Sequence, residues 1–218
     1  MRFELHSHTN VIDGRSTPEE IVRAAVGRGL DGIAITDHDQ VRGNLEARRF
    51  APEGFTVIPG IELSAREGHI ICLGSIDIPE DFLGVMKNPE KQKPASEIIN
   101  LIHDIGGLAI AAHPYDLIRN GVGDLVYELE FDAIEVLNGH TLLNRKSPVK
   151  AAKKLGIPMV GGTDAHNAYE VGNVTVECGA DILDEIRNDK VRIISASRAK
   201  LAADFMRSGI LKSYFRLA

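Results

Sequence analysis

Histidines that stand two residues apart are the most informative feature of this sequence. His6 and His8 follow the apolar run Arg2–Leu5, and Asp164 and His166 stand at the same spacing after a later apolar run. In an extended segment, residues i and i+2 point the same way, so each pair could converge on one ion. Imidazole combined with carboxylate suits Zn²⁺, Mn²⁺ or Fe²⁺. One such pair is weak evidence, because two exposed histidines would look the same.

Further histidines and carboxylates stand at comparable points along the chain. They follow or begin short apolar runs, or lie in the loop after the first run: Asp13, Thr36-Asp37-His38, Gly60-Ile61-Glu62, His69 and Ala112-His113-Pro114. If the fold brings these groups to one rim, burying them unpaired is costly, and divalent ions would offset that cost. With the two pairs, the candidate ligands are too many for one ion. The sequence therefore predicts two or three divalent ions, as Zn, Mn or Fe.

Short apolar runs alternate with amphipathic helical segments along the whole chain. The predicted strands are Arg2–Leu5, Gly32–Ile35, Phe55–Ile61, His69–Leu73, Leu108–Ala111, Ala133–Leu137 and Ile157–Val160, with Asn173–Val176 and Val191–Ser195 as later candidates. Continuous apolar runs are typical of strands covered on both faces, as in a parallel sheet or barrel. We therefore expect one α/β domain, residues 1–218, with a compact (β/α) barrel and its site at the carboxyl ends of the strands.

Helix signals separate these runs. Ser16-Thr17-Pro18-Glu19-Glu20 supplies an N-cap and a first-turn proline, and Ser96 opens a second helix. A third helix ends at Leu155, and a terminal helix is predicted over about 198–217. The intervening loop Ile78–Pro94 is predicted to be solvated surface, with a lid as the alternative.

Composition excludes several classes of protein. The chain has 218 residues, 44% hydrophobic and 26% charged, which is typical of an ordinary globular protein. Its net charge of −6 argues against an extended nucleic-acid surface, although a local cationic site could still hold one phosphate. Two cysteines, Cys72 and Cys178, cannot form a thiolate zinc cluster. With no apolar signal or membrane-spanning run, the expected location is cytoplasmic.

The ordered motifs resemble those of the PHP (polymerase and histidinol phosphatase) superfamily. The resemblance runs from residue 6 to about 172 and is carried by His6-Ser7-His8, Asp13-Gly14, Thr36-Asp37-His38, Gly60-Ile61-Glu62, His69, His113-Pro114 and Asp164-Ala165-His166, with Glu135-Val136-Leu137-Asn138-Gly139 and Val171-Gly172 also similar. It implies a distorted (β/α)₇ TIM-like barrel in a single domain. It also implies a centre of two or three metal ions.

The resemblance further implies three sets of metal ligands. One ion is held by His6, His8, Glu62 and Asp164. Glu62 bridges to a second ion with His69 and His113, and a third takes Asp13, His38 and His166. Some family members have His in place of Asp13, which leaves occupancy of the third position open. The predicted catalytic residues are Asp37, Glu62 and His166, with Asp37 orienting a ligand such as His38 or, alternatively, shuttling a proton.

The predicted activity is metal-dependent hydrolysis of a phosphate ester, by a hydroxide that bridges two ions and attacks phosphorus in line. The substrate would be a nucleotide, an oligonucleotide or a small-molecule phosphate. Candidate phosphate contacts are Arg15, Arg119 and Arg145, which lie in loops or at helix starts, together with Asn138 and His140 near the same rim. For each arginine taken alone, a solvated surface charge is the alternative.

Other functions remain as alternatives. A histidinol-phosphate phosphatase would use the same centre. An amidohydrolase would need a bridging lysine at the end of the fourth strand, and the run Ile70–Leu73 has none. A metal-stabilised domain without catalysis would have closed coordination, whereas this number of ligands shared among three ions leaves positions for water.

Overall fold

The structure is a computed structural model that describes residues 1–141, 146–179 and 181–208. Its strands are β1 (Arg2–Glu4), β2 (Gly32–Ala34), β3 (Thr56–Ile58), β4 (Gly60–Ala65), β5 (Gly68–Leu73), β6 (Leu108–Ala111), β7 (Ala133–Asn138), β8 (Met159–Gly162), β9 (Val174–Glu177) and β10 (Arg192–Ser195). Its helices are α1 (Pro18–Gly27), α2 (Arg42–Ala47), α3 (Ala95–Asp104), α4 (Lys146–Leu155), α5 (Ile182–Arg187) and α6 (Arg198–Ser208). The α/β class predicted from the sequence is confirmed.

Hydrogen bonds group the strands into two mixed five-stranded sheets. Their orders are β10-β9-β1-β2-β3 and β4-β5-β6-β7-β8. Within them, β1-β2-β3 and β6-β7-β8 run parallel, while β9 pairs antiparallel with β1 and β10, and β5 with β4 and β6. Isolated parallel bridges, Ser7 to Ala165 and His38 to Glu62, join segments of the two sheets. A single closed barrel stays a prediction.

The antiparallel pair β4–β5 departs from the predicted β/α alternation for a local reason. Only Arg66 and Glu67 connect the two strands, and a connection that short can join only antiparallel neighbours. Gly68 then adopts φ +150°, where a Cβ would come within 2.6 Å of the Asn120 carbonyl oxygen. This hairpin brings His69, at the start of β5, back to face Glu62 on β4.

The predicted strand Phe55–Ile61 is in fact two strands that belong to different sheets. Pro59 separates β3 from β4, because proline has no N–H to continue a ladder. Strand β4 continues to Ala65, so Glu62 lies inside a strand and does not follow one. Its side chain therefore projects from a fully paired segment, which fixes its direction.

Helices cover the sheets as the amphipathic patterns predict. On α1, Thr17 and Glu20 form a reciprocal capping box. The α3 side chains Ile98, Ile99 and Ile102 pack with Ile61 on β4 and other strand residues in one apolar cluster. Each fully buried aliphatic side chain of this kind stabilises the fold by roughly 1.5–3 kcal/mol.

The structure describes the first part of the predicted terminal helix and the whole of the loop 78–94. The terminal helix begins at Arg198 as expected and is described to Ser208; residues 209–218 lie outside the described part of the chain. The loop 78–94 contains two short 3₁₀ turns and buries Phe82 and Val85, while the Arg66 side chain donates to the Gln92 carbonyl at 2.8 Å. Among the described residues, no helix has the length and apolar character needed to cross a bilayer.

Candidate metal centre

The structure gathers all of the predicted ligand residues into one cluster. Their ligand atoms form groups whose members lie within 4.8 Å of one another: His6, Glu62 and His113; His6, His8 and Asp164; His8, Asp13 and His38; His38, Glu62 and His69; and His140, Asp164 and His166. The last group adds His140, which the sequence suggested only as a substrate contact. Most of these side chains are buried, and Asp13 is the most exposed, with 29% of its side chain accessible.

Two adjacent extended segments present the paired ligands. His8 N–H donates to the Ala165 carbonyl at 2.7 Å, and Asp164 N–H donates to the His6 carbonyl at 2.9 Å. The segments after β1 and β8 therefore lie side by side, and their i, i+2 residues face one space. Asp164 has φ +60°, an uncommon conformation for a residue with a Cβ, and such strain costs of order 1–3 kcal/mol.

Glu62 lies at the centre of the cluster and serves two sets of histidines. Its Oε1 atom is 3.2 Å from both His69 Nδ1 and His113 Nε2. Its Oε2 atom is 3.2 Å from both His6 Nε2 and His8 Nε2. A carboxylate that divides its two oxygens in this way is suited to bridge two ions.

Asp164 and Asp13 complete the ligand sets. Asp164 Oδ1 is 3.2 Å from His8 Nε2. Asp13 Oδ2 is 3.3 Å from His166 Nε2 and 3.7 Å from His38 Nε2. The residues assigned to each ion by family resemblance are thus neighbours in space.

Charge in the cluster is strongly perturbed. Burial raises the pKa of Glu62, but the histidines around it, led by His38, hold that pKa well below its usual value. Burial also raises the pKa of Asp164, but Arg119, His6 and His8 together outweigh it and hold that pKa well below its usual value. Burial lowers the pKa of His8, but Asp164 and Glu62 outweigh it and raise that pKa to about 10. Burial lowers the pKa of His38 to about 3. A divalent ion that binds His8 would displace the proton that this raised pKa retains.

Ring nitrogens without hydrogen bonds show that the cluster fits metal ions. Within the described part of the chain, buried Nδ1 atoms of His8, His38, His69 and His113 have no hydrogen-bond partner. Buried polar atoms are normally satisfied. Two of these atoms, His38 Nδ1 and His69 Nδ1, stand 3.4 and 3.2 Å from Glu62 oxygens without suitable hydrogen-bond geometry. An ion shared between nitrogen and oxygen would satisfy both.

Three buried carboxylates that were not predicted as site residues hold the ligands in place. Glu135 Oε1 is 3.0 Å from His6 Nδ1, and Glu135 Oε2 accepts from His113 N–H at 2.8 Å. Glu4 accepts from the Thr163 and Gly172 N–H groups, and burial raises its pKa to about 7. Glu170 accepts a hydrogen bond from the His166 N–H at 2.9 Å. A charged residue inside an apolar strand run was the available sequence signal for Glu4 and Glu135.

Asp37 contacts the turn after His8. Its carboxylate accepts from Thr9 N–H at 2.6 Å and from Thr9 Oγ1 at 2.7 Å. It also lies against Gly43, where a Cβ would come within 1.8 Å of Oδ2. These contacts would let Asp37 position His8 through the backbone.

The predicted phosphate contacts divide into two groups. Arg119 and Asn138 lie in the centre: Arg119 forms an ion pair with Asp164 and donates to Asn138 Oδ1 at 3.2 Å. His140 is also buried. Arg15 is exposed and reaches the centre through its backbone, donating to the His166 carbonyl at 2.8 Å. Arg145 lies outside the described residues.

Comparisons with known proteins give a consistent result. The sequence profile described as "PHP domain" matches residues 4–142, and one described as "PHP-associated" matches residues 143–191. An uncharacterized protein of Methanocaldococcus jannaschii is 35% identical over 153 residues, which are 64% of this chain and 83% of that protein. The 5'-3' exoribonuclease Rnm of Escherichia coli is 40% identical over 88 residues, 37% of this chain and only 30% of Rnm.

A solved structure shares the fold. It is a two-domain protein from Bacteroides vulgatus that contains a predicted PHP-like metal-dependent phosphoesterase. The superposition has a TM-score of 0.71 at 20% identity, and it covers 95% of this chain and 69% of the other.

Proposed function

The chain belongs to the PHP domain family, since the family profile spans residues 4–142, and we propose that it hydrolyses phosphate esters at a centre of two or three divalent ions. It is a hydrolase acting on phosphoester bonds. The proposal includes the closed, distorted (β/α)₇ barrel, the single domain 1–218 and the cytoplasmic location expected from the sequence.

The division of the Glu62 carboxylate between two histidine sets carries this proposal. Its oxygens lie 3.2 Å from His69 and His113 on one side and from His6 and His8 on the other. The carboxylate is ionised and 1% exposed, so its charge is available to neighbouring cations and little screened by water. A structural site would close its coordination, whereas ligands shared in this way leave positions open for water and substrate.

The residues would hold the ions as the family resemblance implies. One set is His6, His8, Glu62 and Asp164; a second is Glu62, His69 and His113; a third is Asp13, His38 and His166. Zn²⁺, Mn²⁺ or Fe²⁺ suits these nitrogen and oxygen donors. Bound ions supply a Lewis acid for phosphoryl oxygens and lower the pKa of bound water from 15.7 to roughly 7.

Residues around the ligands would orient a histidine and bind the phosphate group. Glu135 Oε1 lies 3.0 Å from His6 Nδ1 and can accept a hydrogen bond from it, which would leave Nε2, the nitrogen that faces Glu62, to bind an ion. Arg119 brings a guanidinium, and Asn138 an amide, to the edge of the centre beside Asp164. These donors would bind the non-bridging oxygens of a phosphate, as Arg side chains commonly do. Arg15 remains a candidate contact, and so does Arg145, which lies outside the described residues.

The substrate would be a nucleotide, an oligonucleotide or another small phosphate ester, with histidinol phosphate as the alternative. A screen of the purified chain, loaded with Mn²⁺ or Zn²⁺, would distinguish mononucleotides, short oligonucleotides and histidinol phosphate. We expect His8→Ala and Asp164→Ala to abolish turnover and to lose bound metal. His103→Ala is the matched control, because His103 is an exposed residue that pairs with Asp132 at 3.0 Å.

Two outcomes would overturn the proposal. Protein that contains stoichiometric metal but cleaves no phosphoester would exclude the activity. Unchanged turnover in both ligand variants would exclude the site. Turnover of amides or lactones in place of phosphoesters would favour the amidohydrolase alternative.

A further inference from the structure

His140 is a buried histidine for which the proposed function has no firm use. It follows β7 and is 4% exposed. Its Nε2 atom is 3.1 Å from Glu170 Oε1. The Phe205 ring of α6 packs beside it, with ring centroids 5.4 Å apart. Its position is therefore held from two sides.

Glu170 determines which nitrogen of His140 carries a proton. Glu170 is fully buried and also accepts from the N–H groups of His166 and Asn167, both at 2.9 Å. The backbone N–H groups of His166 and Asn167 and the Asn167 side-chain amide all donate to Oε2, which is the donor set expected around a carboxylate. A carboxylate can only accept a hydrogen bond, and His140 Nε2 must donate.

The other nitrogen of His140 is then left with a lone pair. A proton on Nδ1 would be a buried donor without an acceptor among the described residues, so the geometry favours the tautomer with its proton on Nε2. In the described part of the chain, Nδ1 is buried and has no hydrogen-bond partner. A lone pair repels a phosphate oxygen, so this nitrogen is suited to a cation. Carboxylate, histidine and metal in line are the usual arrangement of a metal-bound imidazole.

We infer that His140, Asp164 and His166 form a further divalent-cation position at the edge of the metal centre. One ligand atom from each of the three residues lies within 4.8 Å of the others. The rings of His140 and His166 have centroids 5.5 Å apart, and Glu170 positions both residues. The inference rests on the metal centre of the proposed function, but it does not require phosphoesterase activity.

This position would bind its ion more weakly than the sites around Glu62. The Arg119 guanidinium is paired with Asp164, so one ligand already has a cationic partner. A second cation near the same carboxylate gains less from its charge. We therefore assign to His140 the weakest of the binding steps.

The test is metal binding by the full-length protein and its variants. Metal-free protein is titrated with Mn²⁺ and with Zn²⁺ in a calorimeter, and bound metal is counted by mass spectrometry after removal of excess. We expect His140→Ala to lose about one equivalent, or to weaken the weakest step at least about ten-fold. Glu170→Gln should weaken the same step, because it frees the ring. His103→Ala should match the wild type.

The outcomes separate this inference from the proposed function. Wild-type protein that binds no divalent ion overturns both. Metal binding by the wild type with an identical isotherm and metal count in His140→Ala overturns only the His140 position. If His140→Ala fails to fold, histidine ¹⁵N spectra of the wild type decide. We expect Zn²⁺ to shift the His140 Nδ1 signal, and an unchanged signal while those of other histidines move would overturn the inference.

Discussion

Arg119 and Asp164 form an ion pair that is almost wholly buried beside the histidine cluster, with 6% and 3% of their side chains exposed. The same carboxylate faces His8 Nε2 at 3.2 Å through its other oxygen. Asp164 thus lies between a fixed positive charge and the space for metal. Arg119 is a main counter-charge for Asp164. Under the proposed function, bound cations would take over part of that role, and Arg119 would then contact an anionic substrate.

Removal of Arg119 should destabilise the metal-free protein more than the loaded protein. Breaking a buried pair typically costs about 3–5 kcal/mol, because one charge is left uncompensated. Bound cations would supply the missing charge. We expect Arg119→Ala to lower the free energy of unfolding in urea with chelator present, to recover in part with Mn²⁺, and to raise KM.

Arg192→Ala is the matched control for this prediction. Arg192 pairs with Glu177 at the surface, where 74% of its side chain is exposed, and such pairs contribute little. An equal loss of stability in both variants, or no rescue of Arg119→Ala by metal, would argue against the role assigned to Arg119.

Neutralising Glu62 should affect more than one bound ion. Glu62→Gln keeps the shape but removes the charge that faces both histidine sets. We expect its metal content to fall by more than one equivalent and its turnover to fall at least about a hundred-fold. Metal counting and kinetics on the same sample would check this. Loss of only one equivalent would mean that Glu62 serves a single ion.

A methyl group at Gly162 should displace His6, although Gly162 is not itself a metal ligand. A Cβ there would stand 2.4 Å from His6 Cβ and 2.8 Å from Glu135 Oε1, so His6 must shift. We expect Gly162→Ala to bind metal at least about ten-fold more weakly and to be less stable. The control is Gly27→Ala in α1, where the added Cβ meets nothing within 4 Å. The free energy of unfolding of Gly27→Ala should rise by about 0.5 kcal/mol. Equal metal affinity in both variants would contradict the packing described.

The two free thiols should differ in reactivity and in pH dependence. Cys72 lies fully buried in β5, and burial raises its pKa from 9.0 to about 12. Cys178 is only partly buried. Because the thiolate is the reactive form, iodoacetamide at pH 8 should modify Cys178 first and leave Cys72 intact until the protein unfolds. Modification mapped by mass spectrometry would show the order.

The raised pKa of Cys72 also makes the stability of the folded protein depend on pH. The folded state holds the Cys72 proton more tightly than the unfolded state. This contribution to stability is therefore complete below pH 9 and is lost as pH rises from 9 toward 12. The Cys72→Ala variant should lose less stability between pH 9 and pH 12 than the wild type. Rapid alkylation of Cys72 in folded protein, or the same pH curve in both proteins, would contradict this account.

Much of the centre is readable from local sequence. The i, i+2 spacing of His6 and His8 predicts a shared direction, because side chains alternate along an extended segment. Apolar runs place most other ligands at or near strand ends, and the structure brings all nine predicted ligands together. Most strands were predicted to within about two residues for the same reason, because the apolar pattern is local, whereas the predicted strand Phe55–Ile61 is two strands of different sheets.

Only the tertiary structure decided which charged groups meet each other in the centre. Nothing near Glu62 in the sequence shows that its two oxygens divide between His113 and His8, since that depends on the β4–β5 hairpin and on sheet order. The pairing of Arg119 with Asp164 and the Glu170–His140 contact join residues 45 and 30 positions apart. Local periodicity predicts which face a side chain takes, but the charge that it meets there is set by the packing of the whole chain.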